Sequence, residues 1–533
     1  MALPSEFPAP PDAPSTRHLV PVRFAAALTS NAFGLGLSFF ASIFVARGLG
    51  PGRYGDLSFL IASFAAVATL LDMGSSSAFY TFLSRRRRGW PFFRRYAGWL
   101  ALQLGIVLAA LCILPPSWLG GIWLGQPRML LLAAAVAGFV ANQFWRCVQQ
   151  IGESARETIM VQVAGAGINT LHAVLMGFLF LRGRLTVVFV LTAISAEYAL
   201  IGVLFACLFP WSRVCDKEHV EPEFRKSLSD YARYCRPLVI AGWAGFTYSF
   251  ADRWLLQRFS GSIQQGFFSL GQQFATVSLL AAASFINILW KEVAQAHERG
   301  DIDAAGRLFL RSGRLLYFVA AALACFGIPF SRDVLTRLVG EAYAGGWLTF
   351  AVLALFPLHQ TLGQINGTFF HATGRTRLVM LFTLLSAASS VIFGYLVLAP
   401  GSSAVPGLGL QSIGLAVKMV LLQAALVNLQ GYVICRSEGW RWPFAYQLGI
   451  PCALLALSLL CRAAVSWFPT EGSNLWLFAK LGIGGVLYGA VLAAAVIRHP
   501  GAIGADAADI RRWLELGRHS LRAYFPKHKT SLT

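Results

Sequence analysis

The sequence predicts an all-α polytopic membrane protein of about 14 transmembrane helices, because long apolar stretches follow one another with short gaps between them. A hydrocarbon core of ~30 Å needs about 20 helical residues, and each stretch is near or above that length. Hydrophobic residues make up 56% of the chain and charged residues only 13%, whereas soluble domains carry roughly 25% charged residues. The predicted spans are 24–46, 57–80, 96–114, 129–150, 158–181, 186–209, 237–257, 267–290, 312–330, 347–371, 377–399, 410–434, 444–467 and 475–497.

The distribution of basic residues predicts how the chain is oriented. The net charge is +20, and Lys and Arg gather in every second gap between the predicted spans. The densest run is the four arginines at 85–88, followed by Arg94 and Arg95. The other gaps carry few basic residues, and 400–408 carries no charge. Because basic loops stay in the cytoplasm, both termini are predicted to be cytoplasmic, and no nucleic-acid partner is expected.

An internal repeat predicts how the helices are grouped. A shift of 211 residues brings seven identities into register over 25 positions without a gap. The shift spans six helices, so both copies face the same way, as in the parallel repeats of many transporters. We therefore expect two parallel six-helix lobes around a central cavity, with two additional C-terminal helices. The paired residues are Gly34/Gly245, Ser38/Ser249, Phe39/Phe250, Arg47/Arg258, Gly50/Gly261, Gly55/Gly266 and Ser58/Ser269.

The predicted domains follow from the spans and the repeat. The gap at 211–236 can hold one amphipathic helix but no folded soluble domain, so a catalytic extramembrane domain is not expected. If residues 510–524 form a helix, arginines and apolar residues lie on different faces of it, which predicts a helix at the membrane interface. The domains are a Pro-rich disordered cytoplasmic tail (1–22), an N-lobe (23–211), a cytoplasmic linker (212–236), a C-lobe (237–435), two further helices (436–498) and an amphipathic cytoplasmic tail (499–533).

Basic residues inside the predicted spans are candidates for function, since a charge at the bilayer centre costs ~2.5–3.5 kcal/mol. Arg462 and Lys480 lie near the outer ends of their spans and are predicted to reach the membrane interface. Arg253 and Lys418 lie deeper, and Arg253 is at the junction of the repeats. Because Arg and Lys form charge-assisted hydrogen bonds to phosphate oxygens, these two are the candidate cavity cations for binding a phosphorylated substrate.

Acidic and neutral polar residues also occur within the spans. Asp72, Glu197 and Asp252 each allow two interpretations: a buried carboxylate that fixes helix packing, or a proton or sodium site coupled to transport. The amides and imidazoles either hydrogen-bond helices together or line a hydrated cavity. The residues predicted to line the cavity are Asn31, Asn142, Gln272, His359, Gln360 and Gln364.

Several short motifs match known binding sites, but their context in the sequence argues against those functions. Residues 50–55 match G-x-G-x-x-G, but no strand precedes them, so dinucleotide binding is rejected. Asp301 and Asp303 lie on a short charged connection and are interpreted as the start of a helix. The nine cysteines have no CxxC spacing and predict neither disulfides nor zinc. No Walker A sequence is present, and no cofactor, metal site or enzymatic activity is predicted.

Motifs in both repeats resemble those of Wzx-type polysaccharide and O-antigen flippases, in the multidrug/oligosaccharidyl-lipid/polysaccharide (MOP) exporter superfamily. They are VARGLGPGRYGDLSFL at 45–60, LLDMGSSSAFY at 70–80, ADRWLLQRFSGSIQQGFFSLGQQFA at 251–275 and VGEAYAGGW at 339–347. The resemblance runs from about 20 to 500, although position 267 is Phe where the family pattern usually has Tyr. It implies alternating-access transport of an undecaprenyl-pyrophosphate-linked oligosaccharide across a bacterial inner membrane, for surface polysaccharide synthesis.

The resemblance implies a polyprenyl pyrophosphate-linked oligosaccharide, membrane lipids, a polysaccharide polymerase and a chain-length regulator as partners. Two alternatives stay open. A membrane-embedded polysaccharide polymerase or ligase typically needs a sizeable outer loop with catalytic Arg or His, and the outer loops here are short. A lipid II or multidrug exporter of the same superfamily is the other alternative. Small cationic drugs favour an acidic cavity, whereas these spans hold no fewer basic than acidic residues.

Overall fold

The chain is helical throughout the part that the structure describes. The structure is a computed structural model that describes residues 19–216, 223–236, 238–279, 289, 292–467, 474–506 and 508. For residues 19–32, 35, 241, 277, 474 and 475 it describes the backbone alone. No β-strand occurs in these ranges, which confirms the predicted all-α class.

The first half of the chain forms a helical N-lobe. Its α5 contains one π-helical turn at Val140–Phe144, a feature that is frequent at functional sites. A buried core joins α1 to α5 through side chains such as Phe59, Phe64 and Phe139. The helices are α1 (Leu19–Asp72), α2 (Ser75–Arg85), α3 (Trp90–Ile113), α4 (Pro116–Trp123), α5 (Arg128–Ser154), α6 (Thr158–Leu181) and α7 (Val187–Leu208).

The linker and the second half contain the remaining helices. A short helix in the linker, α8 (Phe224–Cys235), lies where the sequence allows one amphipathic helix. Short helical turns at 331–346 connect α10 to α11. The other helices are α9 (Leu238–Val277), α10 (Ile302–Gly327), α11 (Trp347–Leu353), α12 (Phe356–Ala372), α13 (Thr376–Leu398), α14 (Gln411–Glu438), α15 (Phe444–Ser466) and α16 (Asn474–Arg498).

The long helices α1 and α9 share one irregularity. Each is interrupted by a single glycine in a non-helical conformation, Gly50 (φ 72°, ψ 167°) in α1 and Gly261 (φ 79°, ψ 177°) in α9. Glycine is the residue that adopts this region without a steric penalty. The 211-residue shift pairs these two glycines, so the two repeats have the same backbone break, which supports the predicted duplication.

The predicted number of 14 spans is not confirmed by the described residues. Within the described ranges, eleven helices are long and apolar enough to cross a membrane. The first two predicted spans are merged in α1. The predicted spans 237–257 and 267–290 fall on α9, which is not among the eleven, and the second of them ends outside the described residues. The predicted span 57–80 is also interrupted, since positive φ angles at Met73 and Gly74 end α1 before α2 begins. The predicted helix at 510–524 lies outside the described residues.

Candidate functional site

The broken helices α1 and α9 approach each other just beyond their breaks, where the two lobes meet. A Cβ atom on Gly55 would lie 1.8 Å from the carbonyl oxygen of Ser262, and one on Gly266 would lie 2.2 Å from that of Pro51. Only glycine permits such a close backbone approach. Since both breaks lie on the predicted outer side, we call this contact the outer seal.

A partly buried network around Asp56 reinforces the outer seal. One carboxylate oxygen, Oδ1, accepts hydrogen bonds from Ser262 Oγ at 2.6 Å and from Gln257 Nε2 at 3.0 Å, both in α9. It also accepts one from Gln126 Nε2 at 2.9 Å, in the α4–α5 connection. Sequence reasoning missed Asp56 because it counted the residue in an outer connection; its position next to Gly55 was the available signal.

The turn before α11 completes the outer seal. Tyr343 is fully buried, and its hydroxyl donates a hydrogen bond of 3.0 Å to the carbonyl oxygen of Ala46 in the N-lobe. Its ring packs edge-on against Tyr54 and Phe267 at centroid distances of 6.5 and 6.0 Å. The acidic-aromatic motif at 339–347 therefore contributes to the outer seal, and Phe267 fills the space beside it.

Arg253 lies on the predicted inner side of the outer seal. Eight residues separate it from Gly261, or about 12 Å along a helix. Its guanidinium donates hydrogen bonds to Gln272 Oε1 at 2.6 Å and to Ser269 Oγ at 3.3 Å, across the break in α9. No carboxylate lies within ion-pair distance of Arg253 among the described residues. The predicted candidates Arg253 and Gln272 are therefore adjacent, and the charge of Arg253 is solvated by neutral groups.

Lys418 occupies a different environment from the one expected. Its ammonium donates to both carboxylate oxygens of Asp252, at 2.7 and 2.6 Å, and to Ser390 Oγ at 2.6 Å. Only 3% of the Lys418 side chain and 9% of the Asp252 side chain are exposed. Gly394 leaves no room for a further group, since a Cβ there would lie 2.8 Å from Asp252. Lys418 thus joins α14 to α9 and α13 as a buried ion pair, instead of facing a cavity as an unpaired cation.

The two other predicted acids also have partners. Asp72 accepts hydrogen bonds from the Ser76 backbone N–H at 3.0 Å and from the hydroxyls of Ser75 and Ser76 at 3.0 and 2.8 Å, at the start of α2. Glu197 lies 2.8 Å from His172 Nδ1, so this contact joins α6 to α7. Both carboxylates are buried within the N-lobe.

None of the remaining predicted cavity residues hydrogen-bonds to Arg253 within the described part of the chain. Asn142 donates to the Gly138 carbonyl oxygen at 2.8 Å within its own helix. In the C-lobe, Gln360 accepts from Gln423 at 2.9 Å, and the His359 ring packs against Tyr317 at 5.8 Å. A buried oxygen of Gln364 has no hydrogen-bond partner among the described residues. The side chain of Asn31 lies outside the described part.

A lateral groove of about 650 Å³ opens on the predicted cytoplasmic side. Its walls come from α2, α3, the linker helix α8 and the start of α9, and they are mostly apolar. Arg95 closes one edge by donating a 3.0 Å hydrogen bond to Ser227. A groove of this size and polarity can accommodate hydrocarbon. Apolar residues that line the groove include Phe92, Tyr96, Trp99, Leu102, Leu228 and Val239.

Comparisons with known proteins identify the architecture. The lipid II flippase MurJ, in an inward closed conformation, has a TM-score of 0.67 at 12% identity, covering 90% of this chain and 99% of that one. An inward-facing multidrug resistance MATE family transporter of the MOP superfamily has a TM-score of 0.59 at 15% identity, covering 76% and 95%. A MOP superfamily transporter from Pyrococcus furiosus has a TM-score of 0.52 at 14% identity, covering 79% and 96%.

At these identities the structural matches establish the fold, which is that of MOP-superfamily transporters. No curated protein sequence matches the chain. The sequence itself matches the family described as "Polysaccharide biosynthesis protein" over residues 24–290, half of the chain. This multi-pass membrane protein therefore belongs to the polysaccharide biosynthesis protein family and has the fold of the MOP-superfamily flippases.

Proposed function

We propose that the chain is a flippase for an undecaprenyl-pyrophosphate-linked oligosaccharide in a bacterial inner membrane, with both termini in the cytoplasm. The proposal rests on the position of Arg253, whose half-buried guanidinium lies on the predicted inner side of the closed outer seal. Its hydrogen-bond partners are neutral, so its positive charge remains available to a phosphate. A diphosphate oxygen would replace Gln272 and Ser269 as the acceptor and form stronger, charge-assisted hydrogen bonds.

Transport follows from rearrangement of the two lobes. In the closed-outside state, the head group enters from the cytoplasmic leaflet, and the polyprenyl chain stays in lipid or in the groove beside α3 and α8. Separation of Gly55 from Gly266 and release of the Asp56 hydrogen bonds then open the outer side. The glycan leaves toward the periplasm, where a polymerase and a chain-length regulator act on it.

The Asp252–Lys418 pair has a positioning role in this scheme. The pair is electrically neutral and buried, so it fixes α9 against α13 and α14 and thereby holds the neighbouring Arg253 in place. We accordingly replace the predicted substrate contact at Lys418 by this indirect role. Buried ion pairs of this kind contribute more to a defined geometry than to net stability in some proteins.

The test is a flipping assay with purified protein in liposomes, using a fluorescent polyprenyl-diphosphate sugar and a membrane-impermeant quencher. Arg253→Gln should lower the initial flipping rate at least about tenfold, and Arg253→Lys should restore part of it. The matched control is Arg258→Gln, which removes one exposed charge from the same helix. A normal rate for Arg253→Gln would contradict the assignment of Arg253, and absence of flipping by the unmodified protein would contradict the proposed function.

A further inference from the structure

A basic cavity of about 210 Å³ lies at the predicted outer end of the C-terminal helices, away from Arg253. Three separate elements supply its cations: Arg337 from the turn at 335–339, Arg462 from α15 and Lys480 from α16. One acid, Asp333, also lines it among the described residues. The remaining lining residues are Phe330, Val465, Ser466, Trp476 and Leu477.

Arg462 is held in place on the wall of this cavity. Its Nη2 lies 3.2 Å from the Asp333 carboxylate, and its guanidinium carbon lies 5.7 Å from the centre of the Phe330 ring. The Arg462 side chain is still 40% exposed. Asp333 pairs with Arg462, whereas no carboxylate of the described residues lies within ion-pair distance of Lys480, so the charge of Lys480 is available to a further anion.

The depth of the cavity matches the head-group region of a bilayer. Arg462 lies four residues before the end of α15, or about 6 Å along the helix axis. Large apolar side chains on and next to the same helices are exposed, among them Leu460 (68%), Trp467 (90%) and Phe478 (52%). Tryptophan is enriched at membrane–water interfaces. The cavity therefore adjoins a surface that contacts hydrocarbon.

We propose that this cavity binds the phosphate of a resident anionic phospholipid in the outer leaflet. Lys480 and Arg462 contact the phosphate oxygens, and the acyl chains lie on the exposed apolar surface of α15 and α16. The planar guanidinium of Arg462 can donate two parallel hydrogen bonds to one phosphate. This site is independent of the proposed transport function, because it uses none of the residues of the outer seal.

The experiment measures lipid binding to the full chain by native mass spectrometry after delipidation in a neutral detergent. Phosphatidylglycerol should be retained about tenfold more than phosphatidylcholine. The double variant Arg462→Gln/Lys480→Gln should lose most of this preference, and Lys480→Arg should keep it. The matched control, Arg184→Gln/Arg258→Gln, removes two exposed outer arginines and should bind phosphatidylglycerol as the unmodified protein does. Thermal unfolding of each variant verifies that it is folded.

Three results would overturn the proposal. Equal retention of phosphatidylglycerol by the double variant and the control would place the lipid elsewhere. Displacement of the lipid by millimolar inorganic phosphate would identify a site for a free anion. Retention of a polyprenyl diphosphate, but not of phosphatidylglycerol, would identify a site for a transported lipid.

Discussion

Gly55 and Gly266 face each other across the outer seal, at positions that the 211-residue shift pairs. Each leaves room for the backbone of the opposite repeat, at Ser262 and Pro51 respectively. The contact is thus nearly symmetric, as a parallel duplication predicts. It brings the two backbones together because neither glycine has a Cβ atom, so a side chain at either position would separate them.

Replacement of either glycine by alanine should weaken the outer seal. In Gly266→Ala the new Cβ would lie 2.2 Å from the Pro51 carbonyl oxygen, and because both groups are backbone or attached directly to it, the lobes must separate. We expect a larger outward-open population and a flipping rate about tenfold lower. Electron spin resonance distances between labels at 184 and 402, in outer connections of the two lobes, should lengthen.

Gly52→Ala is the matched control for this prediction. A Cβ on Gly52 would lie 3.8 Å from Ile263, which is an ordinary van der Waals contact next to the same seal. Its label distances and flipping rate should equal those of the unmodified protein. An unchanged distance distribution in both Gly55→Ala and Gly266→Ala would show that the seal does not limit opening.

Loss of the Asp56 carboxylate should also favour outer opening. Asp56→Ala removes the common acceptor of three hydrogen bonds and leaves Gln257 and Ser262 without it. Hydrogen bonds to charged groups contribute about 1.5–3 kcal/mol each, so we expect the closed state to lose about 2 kcal/mol or more. The same pair of spin labels measures this shift.

Asp230→Ala provides the comparison, since Asp230 is an exposed acid on α8. It should leave the label distances unchanged. If Asp56→Ala gives the same distances as Asp230→Ala, the carboxylate does not stabilise the closed state, and the hydrogen bonds around it contribute only to local structure.

Sequence reasoning predicted the fold better than the site, for a physical reason. Hydropathy and the 211-residue shift are properties along the chain, so the helical class and the equivalence of Gly50 and Gly261 could be predicted. The Lys418–Asp252 pair joins residues 166 positions apart, and no periodicity indicates which helices meet. Asp56 was missed because it was counted in an outer connection, and the sequence does not indicate that its partners lie in α9 and in the α4–α5 connection.

Removal of one member of the Asp252–Lys418 pair should be more damaging than removal of both. Lys418→Met leaves a buried carboxylate without its cation, and breaking a buried pair in this way costs about 3–5 kcal/mol. Asp252→Asn/Lys418→Met should recover much of the loss, because neither side chain is then charged. Thermal unfolding of the two single variants and of the double variant in detergent gives the coupling free energy between Asp252 and Lys418.

The flipping rate of the double variant distinguishes between two roles for Lys418, which are positioning of α9 through the ion pair and direct contact with the substrate. We expect substantial transport by Asp252→Asn/Lys418→Met, since Arg253 remains and α9 is no longer distorted by an unpaired charge. A stable double variant without transport would instead restore Lys418 as a direct substrate contact. Additive effects of the two single substitutions on stability would contradict the ion pair.

Asp72 should contribute to stability and not to the transport step. Its carboxylate accepts the Ser76 backbone N–H and two hydroxyls at the first turn of α2, so it satisfies one of the backbone donors that a helix start leaves without an intrahelical partner. Loss of a side-chain acceptor at a helix start costs about 0.5–2 kcal/mol, so Asp72→Ala should lower the unfolding temperature by a few degrees. Asp72→Ser, which keeps an acceptor, should lower it less. The flipping rate per folded molecule should be similar in the unmodified protein and in both variants. A flipping rate that falls in both variants while the unfolding temperature is unchanged would instead identify Asp72 as a coupling site.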